Sequence, residues 1–219
     1  MTIQMNWISN DAELAERCKY WNTLAFIALD TEFIRVDTFY PIAGLLQVSD
    51  GEGTYLLDPL LISNWQPLAQ VLRNQKVVKV LHACGEDLEV FSRLIGVLPK
   101  PMFDTQVAAG YLNIGFSMGY SRLVQHVLNI ELPKGETRSD WLQRPLSELQ
   151  VLYAAQDTEY LVDVYRALEE QLTEQKYAWV LEDGAFLVAD YTEETDPFDL
   201  WRGIKQAWKL APQQLAALR

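Results

Sequence analysis

Two acids, Asp30 and Glu32, stand at the end of the apolar run AFIALD (25–30). On an extended chain residues two apart face the same way, so both carboxylates share one side. Held that close they repel each other unless a cation lies between them. A third acid, Asp87, follows a second apolar run, VVKVLHA (77–83), and falls in the first turn of a helix, where the helix dipole favours a carboxylate. Glu86 competes in the same turn and is expected to point outward. Tyr153 and Asp157 are four apart in YAAQD, on one face of a helix. Asp157 has Val151, Leu152, Leu161 and Val162 around it, which implies partial burial and hence a partner or a metal. Each feature alone has a plain structural explanation: a solvated strand end, a helix N-terminal acid, a Tyr–Asp hydrogen bond. Together they supply four hard oxygen ligands, which suit Mg²⁺ or Mn²⁺ and suit zinc poorly. Two such ions about 4 Å apart clamp the attacking and leaving oxygens of an in-line phosphoryl displacement. Tyr153 beside the fourth ligand would orient or deprotonate the attacking water. Its ordinary pKa of about 10 favours orientation.

The elements that must carry these residues read as follows. Trp7 and Ile8 begin an extended segment, and Ser9 or Asn10 caps a helix over roughly 11–21. The run 25–30 is a buried strand. GLLQVSD (44–50), GEG and TYLLDP (54–59) form a β-hairpin. Ser63 opens a helix to about Arg73, 77–83 is a strand, and a helix runs from Glu86 to about Ile95, where Gly96 ends it. Helical spacing recurs near 104–112 and 120–129, with Asp104 reading as a cap. Residues 131–145 carry Pro and Gly and read as a loop. Ser147 and Gln150 make a capping box that opens a long helix to about Leu172. Strands early and helices between and after predict an α/β fold, a mixed central sheet flanked by helices.

The chain has 219 residues, 49% of them hydrophobic, enough for one main domain and a short appendage. Cys18 and Cys84 form no CxxC pair, and the N-terminus lacks a basic stretch followed by an apolar run. A reducing cytoplasm is the expected compartment. No apolar window is long enough to span a membrane. The net charge of −12 runs against nucleic-acid binding, which usually needs a basic surface. However, residues 169–199 hold 10 acids and one base, leaving 20 acids against 17 bases elsewhere. Several of those acids are candidate metal ligands, whose charge bound cations would offset.

The order ALDTEF, VLHACGEDL, YAAQDTEYL resembles the tyrosine-containing (DEDDy) branch of the DEDD exonuclease superfamily, and within it the ribonuclease D family. EFIRVDTFYP, GLLQVSD, FDTQVAA (103–109) and SDWLQRPLSELQVLYAAQDTEYL (139–161) share that resemblance, which covers about residues 1–205. It implies a ribonuclease H-like 3′-5′ exonuclease fold. It also implies that Asp30, Glu32, Asp87 and Asp157 hold two divalent ions, Mg²⁺ or Mn²⁺, and that Tyr153 orients the water. The implied activity releases nucleoside 5′-monophosphates from RNA with a free 3′ end, tRNA precursors being the leading substrate. Residues 1–175 would be the exonuclease domain. Residues 176–219 would be a C-terminal extension, with LAPQQLAALR resembling the start of a helicase-and-ribonuclease-D C-terminal domain.

Lys134, Arg138 and Arg144 are the densest basic group near the site and are expected to contact RNA phosphates. Trp141 reads as a core anchor of their loop rather than a stacking platform. Phe33 is expected to form a wedge or pocket wall, and Arg35 and Tyr40 to border the nucleotide pocket. His82 is expected to touch substrate or make a structural hydrogen bond. A DNA exonuclease would use the same carboxylates, and recognition of the 2′-hydroxyl would separate the two. A non-catalytic nucleic-acid scaffold would be marked by a lost ligand, and none is lost.

Overall fold

The computed structural model describes residues 5–132, 139–192 and 209–218. Six strands and eight helices are defined among them. The strands are β1 (Met5–Ile8), β2 (Phe26–Ile34), β3 (Ile42–Ser49), β4 (Thr54–Leu57), β5 (Val78–Leu81) and β6 (Met102–Asp104). They form one sheet in the order β1-β4-β3-β2-β5-β6. The β2–β3 and β3–β4 pairs are antiparallel, and the others parallel. The expected mixed sheet and the 44–59 hairpin are both present. β2 runs four residues past the expected end, carrying Asp30 and Glu32 inside the strand, and a register shift follows between Glu32 and Phe33. Such irregularities re-aim side chains beside active sites. β6, only three residues long, gave no periodic signal in the sequence.

The helices are α1 (Asp11–Trp21), α2 (Gln66–Arg73), α3 (Gly85–Leu94), α4 (Thr105–Tyr111), α5 (Tyr120–Leu128), α6 (Glu148–Glu169), α7 (Glu174–Thr192) and α8 (Pro212–Leu218). Asn10 caps α1, accepting from the Glu13 N–H. α2 begins later than expected, because Ser63 is occupied with Asp11: its N–H and hydroxyl both bond that carboxylate. The capping box at Ser147 and Gln150 forms as read, in both directions.

α6 lies across β2, β3, β4 and β5 and also packs on α4 and α5. Ala28 and Val80 from the sheet, Ala108, Leu123 and Val124 from α4 and α5, and Leu161, Val162 and Tyr165 from α6 fill this layer. Ile27 and Leu29 point the other way and are also buried, so both faces of the sheet are covered. α7 was not foreseen in the acidic stretch. It belongs to the fold through Tyr177 and Val180, and Gly184 lets it press on β6, where an added Cβ would meet the Met102 carbonyl oxygen at 2.4 Å. The first compact unit runs to Val188. The second, Ala189–Arg219, holds α8, the helical opening read in LAPQQLAALR.

Candidate active site

Strand alternation and helix pitch bring the four acids to one small cavity of about 230 Å³. Its walls include Asp30, Glu32, His82, Asp87, Tyr120, Tyr153 and Asp157. Asp30 and Glu32 come from β2, Asp87 from the first turn of α3 and Asp157 from the middle of α6. Carboxylate oxygens of Asp30, Glu32 and Asp157 all lie within 4.8 Å of one another. Asp87 stands beside them, its carboxylate accepting the Thr31 hydroxyl from between the two β2 acids. The small Ala154 and Ala155, both fully buried, let α6 sit close to the sheet.

The electrostatics of this cluster favour cations. Burial, followed by repulsion from Asp87, Asp157 and Glu32, holds the Asp30 carboxyl well above its ordinary range. Burial, then Asp157 and Asp87, pushes Glu32 up to about 9. Burial raises Asp87 to about 7 against the lowering effect of the Thr31 hydroxyl, and raises Asp157 to about 7 against that of Tyr153. Four acids that cannot all ionise without a counter-charge, offering only hard oxygens, fit divalent metal ions of the Mg²⁺ or Mn²⁺ type. Burial, then the carboxylates of Asp157 and Glu32, raises Tyr153 as well, so its hydroxyl stays protonated. A protonated hydroxyl can donate a hydrogen bond but is a poor base.

A second set of residues, not singled out in the sequence for this role, holds the ligands in place. Thr31 fixes one oxygen of Asp87. Asp104 caps α4 through the Gln106 N–H at 2.8 Å, as read, and also accepts the N–H groups of Ala83 (3.0 Å) and Cys84 (3.2 Å). Ala83 has φ 51°, so the turn leading into α3 takes a left-handed residue that the Asp104 carboxylate pins. Tyr120 donates to the Asp157 backbone carbonyl at 2.6 Å and packs on His82 with ring centroids 5.4 Å apart. Apart from the Asp104 cap, none of these could be read locally, since each acts through a backbone group or across layers.

The residues expected to touch substrate are distributed unevenly. Phe33 lines both this cavity and a neighbouring cleft of about 810 Å³ that shares Glu32 and Glu86 with it. Arg35 lines that cleft and is paired with Glu89, with Glu86 at 4.0 Å. Tyr40 lies outside both cavities and carries the Arg93 guanidinium 3.3 Å over its ring. His82 reaches the site, but its Nδ1 is 2.9 Å from the Thr105 hydroxyl and burial lowers its pKa, so it stands there neutral. Lys134 and Arg138 lie outside the described residues. Trp141 is a core anchor, 1% exposed. Arg144 departs from the phosphate contact expected of it. Its guanidinium is committed to Asp58 and to backbone carbonyls, because the loop before α6 folds back onto the ends of β3 and β4.

The sheet thus carries two acids on β2, and α3 and α6 bring in two more. The family model described as 3′-5′ exonuclease matches residues 5–173, and the chain belongs to that family. Among characterised relatives it is similar to Ribonuclease D of Pseudomonas paraeruginosa, 59% identical over 216 residues, covering 99% of this chain and 57% of that protein. It is 40% identical to Ribonuclease D of Escherichia coli over 222 residues, covering all of this chain and 58% of the relative. The crystal structure of that Escherichia coli RNase D, described as an exoribonuclease involved in structured RNA processing, superposes with a TM-score of 0.84 over 99% of this chain and 57% of that one. The catalytic core of RRP6 from Trypanosoma brucei shares the fold at 24% identity, with a TM-score of 0.81 over 98% of this chain and 61% of that one. The chain thus spans a little over half the length of the ribonuclease D relatives it matches.

Proposed function

We propose that the protein is a metal-dependent 3′-5′ exoribonuclease that removes nucleoside 5′-monophosphates from RNA 3′ ends, tRNA precursors being the leading substrate. The convergence of Asp30, Glu32 and Asp157 within 4.8 Å, with Asp87 and Tyr153 in the same cavity, is the observation that carries the proposal. Similarity to the two ribonuclease D proteins supports RNA as the polymer. Cytoplasmic action is consistent with two free cysteines and with no described helix being long and apolar enough to cross a membrane.

In this reading the four carboxylates would hold two Mg²⁺ or Mn²⁺ ions, whose chemistry would be to acidify the attacking water and neutralise charge at the scissile phosphate. Tyr153, protonated, directs a water by hydrogen bonding. Thr31 and Asp104 keep Asp87 aimed, and Tyr120 steadies the backbone at Asp157. Phe33 forms a wall where the terminal nucleotide would enter. The small size of the cavity suits one nucleotide end rather than a duplex.

The test is digestion of a 5′-labelled RNA with Mg²⁺, Mn²⁺ or chelator, beside a matched DNA strand. A ladder shortening from the 3′ end of the RNA, abolished by chelator and by Asp30→Ala, is expected. Internal cuts or exclusive digestion of DNA would overturn the assignment.

A further inference from the structure

Arg144 sits in the segment that leads into the catalytic helix, yet every nitrogen of its guanidinium is engaged by a protein acceptor. Nε donates to Asp58 Oδ2 at 2.7 Å and Nη2 to Asp58 Oδ1 at 2.8 Å, a two-pronged pairing of fork and carboxylate. Nη2 also donates to the Gly44 carbonyl at 2.7 Å, and Nη1 to the carbonyls of Trp141 (3.0 Å) and Gln143 (2.8 Å). Asp58, at the end of β4, is itself held by the Leu60 N–H at 2.9 Å. Burial pushes the Asp58 carboxyl up, but Arg144 and Leu60 outweigh it and the net shift is downward, so the pair stays charged.

This clamp fixes Trp141. Gly44 leaves so little room that an added Cβ would come within 2.5 Å of Trp141 Cβ and 2.6 Å of its carbonyl oxygen. The Trp141 ring, buried with Leu45, Leu56, Leu146 and Ala154, packs on Tyr153 with centroids 6.3 Å apart. Gln150 closes the circuit by donating to the Asp140 carbonyl at 3.1 Å, tying the first turn of α6 to the same loop. The chain from Arg144 to the Tyr153 ring is therefore continuous, through one carbonyl and one indole.

We propose that Arg144, paired with Asp58, is a positioning residue for Tyr153 rather than a phosphate contact: it locks the Trp141 wall against which the water-orienting tyrosine rests. Asp87 and the Asp157 backbone are held from elsewhere, by Thr31, Asp104 and Tyr120, so the clamp reaches the site through Tyr153, whose hydroxyl bonds the Asp157 carboxylate. The proposal rests on the exonuclease reading for its kinetic arm.

The experiment is a double-mutant cycle in the full chain, with Arg144→Met, Tyr153→Phe and the pair, assayed on 5′-labelled RNA with Mn²⁺. Arg144→Met should lower kcat by about tenfold or more while KM and Mn²⁺ affinity change less than about twofold, and the double variant should be no slower than Tyr153→Phe alone. Arg144→Lys should recover little kcat, because an ammonium cannot make the two-pronged pairing. A second readout is independent of turnover: in ¹³C-tyrosine NMR, the signal missing from Tyr153→Phe should move in Arg144→Met. A raised KM with weaker salt dependence and unchanged kcat would show a phosphate contact instead. Losses that multiply in the double variant, with an unmoved Tyr153 signal, would show a merely structural arginine. If Arg144→Met does not fold, Asp58→Asn carries the same cycle. Wild-type protein that digests no RNA would refute the exonuclease reading, while the NMR arm would still decide the clamp.

Discussion

Metal binding to this site must release protons, and the number released follows from the cluster. Without cations Glu32 titrates at about 9 and Asp87 and Asp157 at about 7, because burial and mutual repulsion disfavour the ionised forms. At pH 7 Glu32 therefore keeps a whole proton and Asp87 and Asp157 half of one each, so these three surrender about two protons when cations fill the site. Asp30, held well above its ordinary range, adds to that number. At pH 5.5 the same three should release about three protons, and at pH 9 about half of one. Titrating Mn²⁺ into the chelator-treated protein in buffers of different ionisation enthalpy reads the count directly from the slope of apparent enthalpy against buffer enthalpy. A release below half a proton at pH 7, or one that does not fall between pH 6 and 9, would refute the argument. It would mean that the four acids are not held together in the metal-free protein.

Other perturbations follow from the same contacts. The raised carboxyl values mean that the metal-free fold binds more protons than the unfolded chain. That contribution to stability is fully present below the unfolded values near 4 and is lost as pH rises from there through the folded values of about 7 to 9, so Tm in chelator should fall between about pH 4 and pH 9 and Mn²⁺ should reduce the fall. Tyr153→Phe should lower kcat by about 10²-fold while leaving Mn²⁺ affinity nearly unchanged, measured by steady-state kinetics and calorimetry. Asp104→Ala strips the acceptor from three backbone N–H groups and should cost about 2–4 kcal/mol in denaturant unfolding, with weakened Mn²⁺ binding through Asp87. Gly44→Ala forces the Trp141 backbone off β3 and should cost about 1–3 kcal/mol, seen as a lower denaturation midpoint.

The acids that converge in the cavity could be picked out of the sequence because they sit where secondary structure is easiest to see. Asp30 ends an apolar run, Asp87 opens a helix after another, and Tyr153 and Asp157 keep helical spacing behind a capping box. Local rules fixed each position, and the fold had only to bring them together. What escaped depends on long-range geometry. Nothing in the sequence marked Thr31, yet its hydroxyl bonds Asp87, 56 positions away. Asp104 was visible as a cap, but its grip on Ala83 and Cys84 requires β6 to lie beside β5. Arg144 was read from its charge as a phosphate contact, and the carboxylate it pairs with in the fold lies 86 residues earlier, beyond the reach of any local pattern. α7 was hidden because its apolar positions are diluted by acids that face solvent, and only packing on β6 and α4 shows it to be part of the domain.

The central claim is that carboxylates from β2, α3 and α6 form one divalent-ion site. A crystal grown with manganese and measured for anomalous scattering tests it most directly. Two anomalous peaks about 4 Å apart, bounded by Asp30, Glu32, Asp87 and Asp157, are predicted. Density without an anomalous peak in that cavity, or Asp157 rotated away from Asp30 and Glu32 in the manganese-saturated crystal, would contradict the account.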